Sequence, residues 1–82
     1  MNVRQATNLK ADIQRSITED DYTDDLYISI KGVGTKTFRG CVYHDIENWL
    51  FIWTREESFV LNKEELGDFV AIPLSENVNS LN

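Results

Sequence analysis

The hydrophobic and polar positions change their spacing once along the chain, from a helical period at the start to strand-like alternation afterwards. Over residues 2–17 the apolar side chains recur every three or four positions, at Val3, Ala6, Leu9, Ile13 and Ile17. This spacing places them on one stripe of an α-helix and leaves polar residues on the opposite side. The pattern therefore predicts an amphipathic helix over 2–17, with Asn2 as its N-cap.

From Leu26 onward the period becomes two, which is typical of half-buried β-strands. Leu26, Ile28 and Ile30 alternate with other residues, and the glycines at 32 and 34 predict a turn into a second strand over 35–44. Gly40 within that strand predicts a bend or a close approach of another strand. By simple alternation, we expect three residues on one face of the second strand: Phe38, Gly40 and Val42.

The segment Trp49–Trp53 consists of five large apolar residues, so neither face of such a strand is polar. Alternation sends Trp49, Phe51 and Trp53 to one side and the two aliphatic residues between them to the other. A strand of this kind needs cover on both sides. We expect the helix stripe to cover one side and the remaining strands to cover the other. Trp49 and Trp53 are predicted to be core, with an interface role as the alternative.

Later apolar runs at 59–61 and 69–72 predict a fourth and a fifth strand, joined by a single helical turn at 63–67.

A chain of 82 residues has room for one domain. The elements predict an α+β, mostly β fold: an N-terminal helix followed by a five-stranded antiparallel, strongly bent small barrel. The alternative is an open five-stranded antiparallel sheet with the helix packed on one face. The predicted organisation of the single domain 1–82 is a helix at 2–17, an acidic linker at 18–25, the barrel at 26–74 and a flexible tail at 75–82.

The charge of the chain narrows the choice of partners. Fourteen acidic and eight basic residues give a net charge of −6. Proteins that bind nucleic acids or anionic membranes usually present basic runs, and this sequence has none. No apolar stretch approaches the roughly 20 residues of a membrane span. A single cysteine, Cys41, allows no internal disulfide and fits a reducing compartment. We therefore expect a cytoplasmic protein that does not bind membranes, and the charge disfavours nucleic acid as its partner.

The negative charge is concentrated in the predicted linker, where residues 18–25 contain five carboxylates and no base. Such a run is usually a solvated segment, and its natural electrostatic complement is a basic protein surface. We predict a protein-binding site there, formed by Glu19, Asp20, Asp21, Tyr22, Asp24 and Asp25.

The candidate chemical motifs are weak, and we predict no catalytic residue, no metal site and no cofactor. The carboxylates of 20–25 lack the glycine and the distal acid of a calcium loop, since Leu26 and Gly32 occupy those positions. The glycines at 32 and 34 are followed by Thr35 and a strand, whereas a phosphate loop opens a helix. Cys41 and His44 lie on opposite faces of one strand, which does not pair a nucleophile with a base.

The outline of the chain resembles the Sm-like branch of the SH3-type barrels. The similar features are an N-terminal helix, five strands, Gly40 within a long second strand, and a one-turn helix before the last strand. The string at 40–50 is similar to the first signature of that family. The resemblance implies that Asp45 and Asn48 hold an RNA base. Where the family has a hydrophobic-arginine-glycine triplet, this chain has Leu61, Asn62 and Lys63.

Among small acidic barrels of this outline, the chain looks similar in size and charge to the Rho-binding antiterminators, which act by binding a protein. We therefore predict a non-enzymatic regulatory module that binds and modulates a protein with a basic surface. The alternatives are an Sm-like RNA-binding oligomer that uses Asp45 and Asn48, and an inhibitor that mimics nucleic acid. Association of copies through sheet edges also remains open.

Overall fold

The computed structural model describes residues 1–76 and shows an N-terminal helix followed by five strands, with two short 3₁₀ turns. Residues 77–82 of the predicted flexible tail lie outside the described residues. The elements in chain order are α1 (Val3–Gln14), a 3₁₀ turn (Glu19–Asp21), β1 (Asp24–Ile30), β2 (Gly34–Ile46), β3 (Trp49–Trp53), β4 (Ser58–Asn62), a second 3₁₀ turn (Lys63–Glu65) and β5 (Leu66–Pro73).

The five strands form one antiparallel sheet in the order β4-β3-β2-β1-β5. Consecutive strands from β1 to β4 are neighbours, and β5 returns to pair with β1. The sheet is not closed, because β4 and β5 form its two edges within the described residues. The mostly β fold with an N-terminal helix and five antiparallel strands is therefore confirmed, and the closed barrel is not.

The long strand β2 joins two halves of the sheet and changes partner near Gly40. Its first part pairs with β1 up to Cys41, and its second part pairs with β3 from Val42 onward. Between the pairs Asp24–Cys41 and Leu26–Phe38, one residue of β1 faces two residues of β2, Arg39 and Gly40. This is a β-bulge, and Gly40 adopts a φ of +59° there. The bend predicted at Gly40 is confirmed.

The bulge also corrects the predicted faces of β2. The extra residue shifts the alternation by one, so Phe38 and Cys41 share the inner side of the sheet, whereas Val42 lies on the helix side. The expectation that Phe38 and Val42 share a face was wrong, since it assumed an uninterrupted strand.

The inner side of the sheet holds the larger group of buried side chains, which we call the inner cluster. It contains Leu26, Ile28, Phe38, Cys41, Leu50, Ile52 and Leu66. Half-buried residues from the edge strands, including Phe59 and Phe69, pack against it. The ring of Phe59 meets that of Phe38 edge-to-face, with centroids 5.1 Å apart.

A second group of buried side chains, the helix-side cluster, lies between α1 and the opposite face of β2, β3 and β4. Its buried members are Ala6, Val42, Phe51 and Trp53. The half-buried residues around them include Leu9, Ile13, Ile17 and Trp49. Because Leu50 and Ile52 belong to the inner cluster, β3 is covered on both sides as its sequence predicts. Trp53 is core, and Trp49 is half-buried with its indole N–H donating to the Met1 carbonyl at 2.8 Å.

The helix begins as predicted and ends earlier. Asn2 is the N-cap: its side chain accepts the Gln5 N–H, and the Gln5 side chain accepts the Asn2 N–H. The last helical residue is Gln14, and not residue 17 as predicted, because the Ser16 hydroxyl donates to the Ile13 carbonyl and the chain then becomes extended at Thr18. Ile17 still packs in the helix-side cluster. The apolar stripe therefore predicted the packing correctly except at Val3, which is 61% exposed, and it did not predict the end of the helix.

Candidate protein-binding site

The predicted acidic linker is ordered and divides into two parts. Glu19–Asp21 form a 3₁₀ turn, and β1 begins at Asp24 instead of residue 26. The Asp21 carboxylate accepts the Thr18 N–H at 2.8 Å, so this side chain caps its own turn. Within residues 1–76, the exposed Asp20 carboxylate makes no hydrogen bond or ion pair. The residues of 18–25 thus differ in their availability to a partner.

Asp25 corrects the predicted set of docking residues. Its side chain is only 4% exposed, and Oδ1 accepts the Gly40 N–H at 3.0 Å across the β-bulge. Asp24 is half-buried in β1, where it pairs with Cys41 and Pro73. The local charge pattern places both residues in a solvated run. The Asp25 carboxylate instead accepts a backbone N–H that the bulge leaves without a partner strand.

Tyr22 anchors the segment between the turn and β1 to the rest of the protein. Its half-buried ring packs against the helix-side cluster, and its outer face carries the Arg55 guanidinium, whose central carbon lies 4.8 Å from the ring centroid. Arg55 Nε and Nη2 both lie 2.6 Å from Glu19 Oε1. The hydrogen bond to Glu19 raises the pKa of the Arg55 guanidinium above its usual value. The acidic turn and the β3–β4 connection therefore meet around one cation.

A cleft of about 170 Å³ opens beside this contact. It is lined by Gln14, Tyr22, Trp53, Thr54, Arg55, Glu56, Glu57 and Ser58. Trp53 forms part of the wall, is only 2% exposed, and its indole N–H has no hydrogen-bond acceptor among residues 1–76. The residues that line the cleft therefore include exposed acids, aromatic side chains and one tryptophan whose buried indole N–H lacks an acceptor.

We call the surface around this cleft the acidic end. It consists of Glu19, Asp20, Asp21, Glu56 and Glu57, all exposed, with Arg55 between the two groups of acids. The sequence prediction included the first three of these acids and did not include Glu56 and Glu57. The contact between Arg55 and Glu19 spans 36 residues, and no local pattern indicates which acid a given arginine pairs with.

The two residues that the Sm-like resemblance points to lie at the other end of β3. Asp45 Oδ1 accepts a hydrogen bond from Lys63 Nζ at 2.7 Å, and Asn48 Nδ2 donates to Asn62 Oδ1 at the same distance. The Lys63 backbone N–H also donates to the Asn48 carbonyl at 2.9 Å. The structure therefore brings Asp45 and Asn48 against Asn62 and Lys63, and these contacts join the β2–β3 turn to the end of β4.

Cys41 and His44 occupy different environments. Cys41 is fully buried in the inner cluster, and burial raises the pKa of its thiol to about 11, with Asp24 and Asp25 adding to the effect. His44 is exposed, and its ring meets that of Trp53 on the helix side with centroids 5.5 Å apart. A thiol that stays protonated near neutral pH is a poor nucleophile and a poor metal ligand.

In the part of the chain that the structure describes, no three histidine, cysteine or acidic side chains come together as a metal site. No helix among residues 1–76 is both long and apolar enough to cross a membrane. Comparison of the chain with protein-family models, curated proteins and solved structures gave no match.

Proposed function

We propose that this protein is a small non-enzymatic regulatory module that acts in the cytoplasm by binding a protein partner with a basic surface. The observation that carries the proposal is the acidic end, where the contact between Arg55 and Glu19 joins two segments that carry five exposed carboxylates. The resemblance to Sm-like barrels and to Rho-binding antiterminators belongs to the same proposal. Asp25 is not part of the contact, because it is buried.

The electrostatics of the acidic end suit recognition of a cationic surface. Like charges that lie close together on an exposed surface produce a local field that accelerates encounters with an oppositely charged protein. Charged residues alone add little net affinity, so an anchor is also needed. Tyr22 supplies an aromatic ring at the same place, held by the helix-side cluster.

The test compares two variants that change net charge equally. The first neutralises three acids of the acidic end, D20N/E56Q/E57Q, and leaves the capping Asp21 intact. The matched control neutralises three exposed acids of the second 3₁₀ turn and of β5, E64Q/E65Q/D68N. Each variant is used as bait in an extract of the source cells, and captured proteins are identified by mass spectrometry and then purified. We expect the first variant to reduce the association rate with the purified partner by about tenfold at low salt, and the control to change it less than about twofold. Equal effects of the two variants, or capture that no variant changes, would contradict the proposal.

One observation favours a second function, binding of single-stranded RNA. Asp45 and Asn48 lie beside Asn62 and Lys63, so the two turns that the Sm-like resemblance implicates are in contact. This function predicts a ring of six or seven copies in sedimentation and salt-sensitive retardation of single-stranded RNA. A monomer that leaves the RNA unshifted would exclude it. Because β4 and β5 are both sheet edges, the same sedimentation run also tests association of copies through their strands.

A further inference from the structure

The contact between Arg55, Tyr22 and Glu19 has the chemistry of an occupied arginine site. The guanidinium lies over the face of the Tyr22 ring, 4.8 Å from its centroid, while two of its nitrogens approach one oxygen of Glu19 at 2.6 Å. A guanidinium stacks on an aromatic face and donates to a carboxylate at the same time, and an ammonium group does this less well. The site therefore has a preference for arginine built into its geometry.

The Arg55 side chain, which occupies this site, is held by contacts at the protein surface. The side chains of Arg55 and Glu19 are 51% and 72% exposed, and an exposed ion pair contributes little to stability in water. Tyr22 is different, because its ring is fixed by packing against the helix-side cluster. Arg55 can thus leave while the ring and the acidic turn stay in place.

A second feature lies beside this contact, in the adjoining cleft. Trp53 is one of the residues that line this cleft, and its buried indole N–H has no acceptor among the described residues. A buried donor without an acceptor is unfavourable, so a ligand whose acceptor reached this N–H would remove the cost. An arginine in a peptide provides both a cation for Glu19 and Tyr22 and backbone carbonyls that can accept a hydrogen bond.

We propose that Glu19 and Tyr22 form a binding site for an arginine of the protein partner, and that the chain fills this site with its own Arg55 until the partner displaces it. This inference rests on the proposed function and adds the identity of the recognised side chain and an internal competitor. Displacement of Arg55 also leaves the acidic end without its base, which strengthens the attraction for further cationic groups of the partner.

The experiment measures binding of two capped seven-residue peptides by isothermal titration calorimetry at low salt. One peptide alternates glycine with three arginines, and the other has lysines in place of the arginines. The proteins are the native chain, R55Q, and R4Q as a matched control. Arg4 is exposed on α1 and makes no ion pair within residues 1–76, so R4Q changes net charge by the same amount. A fourth protein, R55Q/Y22L, keeps an apolar side chain at position 22 but removes the aromatic face.

We expect R55Q to bind the arginine peptide about five- to tenfold more tightly than the native chain, because the internal competitor is gone. We expect R4Q to differ from the native chain by less than about twofold. The gain should be smaller for the lysine peptide, and it should disappear in R55Q/Y22L. Denaturation midpoints of the four proteins show that each is folded under the binding conditions.

Several outcomes would overturn the inference without touching the proposed function. Equal gains in R55Q and R4Q would show that only net charge matters, and equal gains for the two peptides would show that the site does not prefer arginine. Weaker binding by R55Q would mean that Arg55 supports the contact instead of blocking it. If no peptide binds any variant but the partner captured by the native chain still depends on the acidic end, the inference alone fails. If the partner does not depend on the acidic end either, the proposed function fails as well.

Discussion

Gly40 in β2 and Glu47 in the following turn both adopt positive φ values, and substitutions at the two positions are predicted to have opposite effects on stability. Gly40 has a φ of +59° and Glu47 a φ of +52°. A Cβ at position 40 would have room, since its nearest neighbour, Arg55 Nη1, would lie 3.5 Å away. The cost of G40A is therefore backbone strain, and we expect a loss of about 1–2 kcal/mol in the free energy of unfolding. E47G removes the same kind of strain, and we expect a gain of up to about 1 kcal/mol.

Urea denaturation of G40A and E47G tests both predictions, because the free energy of unfolding should fall in the first variant and rise in the second. A stability of G40A equal to that of the native protein would show that the bulge tolerates a side chain. A destabilised E47G would show that the Glu47 side chain, 3.8 Å from the Met1 amine, contributes more than the strain costs.

Cys41 gives a prediction about alkaline pH. Burial raises the pKa of its thiol from about 9 to about 11 in the folded protein, whereas the unfolded thiol has an ordinary pKa. Between these values the unfolded state loses a proton that the folded state keeps. Stability must therefore fall as pH rises from about 9 to about 11, and the thiol has no such effect below that window.

The measurement is the free energy of unfolding of the native chain and of C41A at several pH values from neutral to alkaline. Lysines and tyrosines also titrate at high pH, so the quantity of interest is the difference between the two proteins. We expect the native chain to lose stability more steeply than C41A within the window. Parallel curves would contradict the raised pKa of Cys41.

For single residues, the sequence predicts exposure and backbone bends better than it predicts which other residue a side chain contacts. It correctly identifies exposed acids at Glu19 and Asp20 and the bend at Gly40. It does not reveal that Asp25 is buried, because that carboxylate is needed only where the bulge leaves the Gly40 N–H without a ladder partner. Nor does it reveal the pairing of Arg55 with Glu19, which depends on how the sheet carries two distant segments together.

At the scale of elements, α1 depends on packing for its stability. A helix of 12 residues is marginal alone in water, and α1 has no acidic residue in its first turn and no basic residue in its last turn. Ala6 is its one buried residue and is fully covered by the sheet. We expect A6L to destabilise the protein by about 1–3 kcal/mol, because the larger side chain must push the helix away from β3.

Ala11 on the same helix supplies the matched control, since it is exposed. We expect A11L to change the free energy of unfolding by less than about 0.5 kcal/mol. Chemical denaturation followed by far-ultraviolet circular dichroism measures both variants. A small effect of A6L would show that the helix adjusts its position on the sheet without loss of contact.

The helix and all five strands are predictable from hydrophobic spacing, because each element buries one or both of its faces. Their ends are less predictable. Ile17 continues the apolar stripe beyond the last helical residue, since packing does not require a helical backbone. The reversed face assignment in β2 has a similar origin: one extra residue in a bulge changes every later position, and the alternation itself gives no sign of it.

At the scale of the whole molecule, the sequence predicts the number of strands and their antiparallel arrangement but not whether the sheet closes. Neighbouring strands joined by short turns pair with each other, which gives β1 to β4 their order. Closure depends on the accumulated twist and curvature along β2 and on the angle between β4 and β5. These are properties of the whole sheet, so no local pattern of residues encodes them.

The double covering of β3 determines what its tryptophans can report. Trp49 and Trp53 both face the helix, while the inner cluster contains none of the chain's indoles. Intrinsic emission excited at long wavelength therefore follows the seam between helix and sheet. If heating loosened that seam first, the tryptophan emission would shift to the red while the circular dichroism of the β-sheet persisted. The two hydrophobic layers could then be followed separately without any added label.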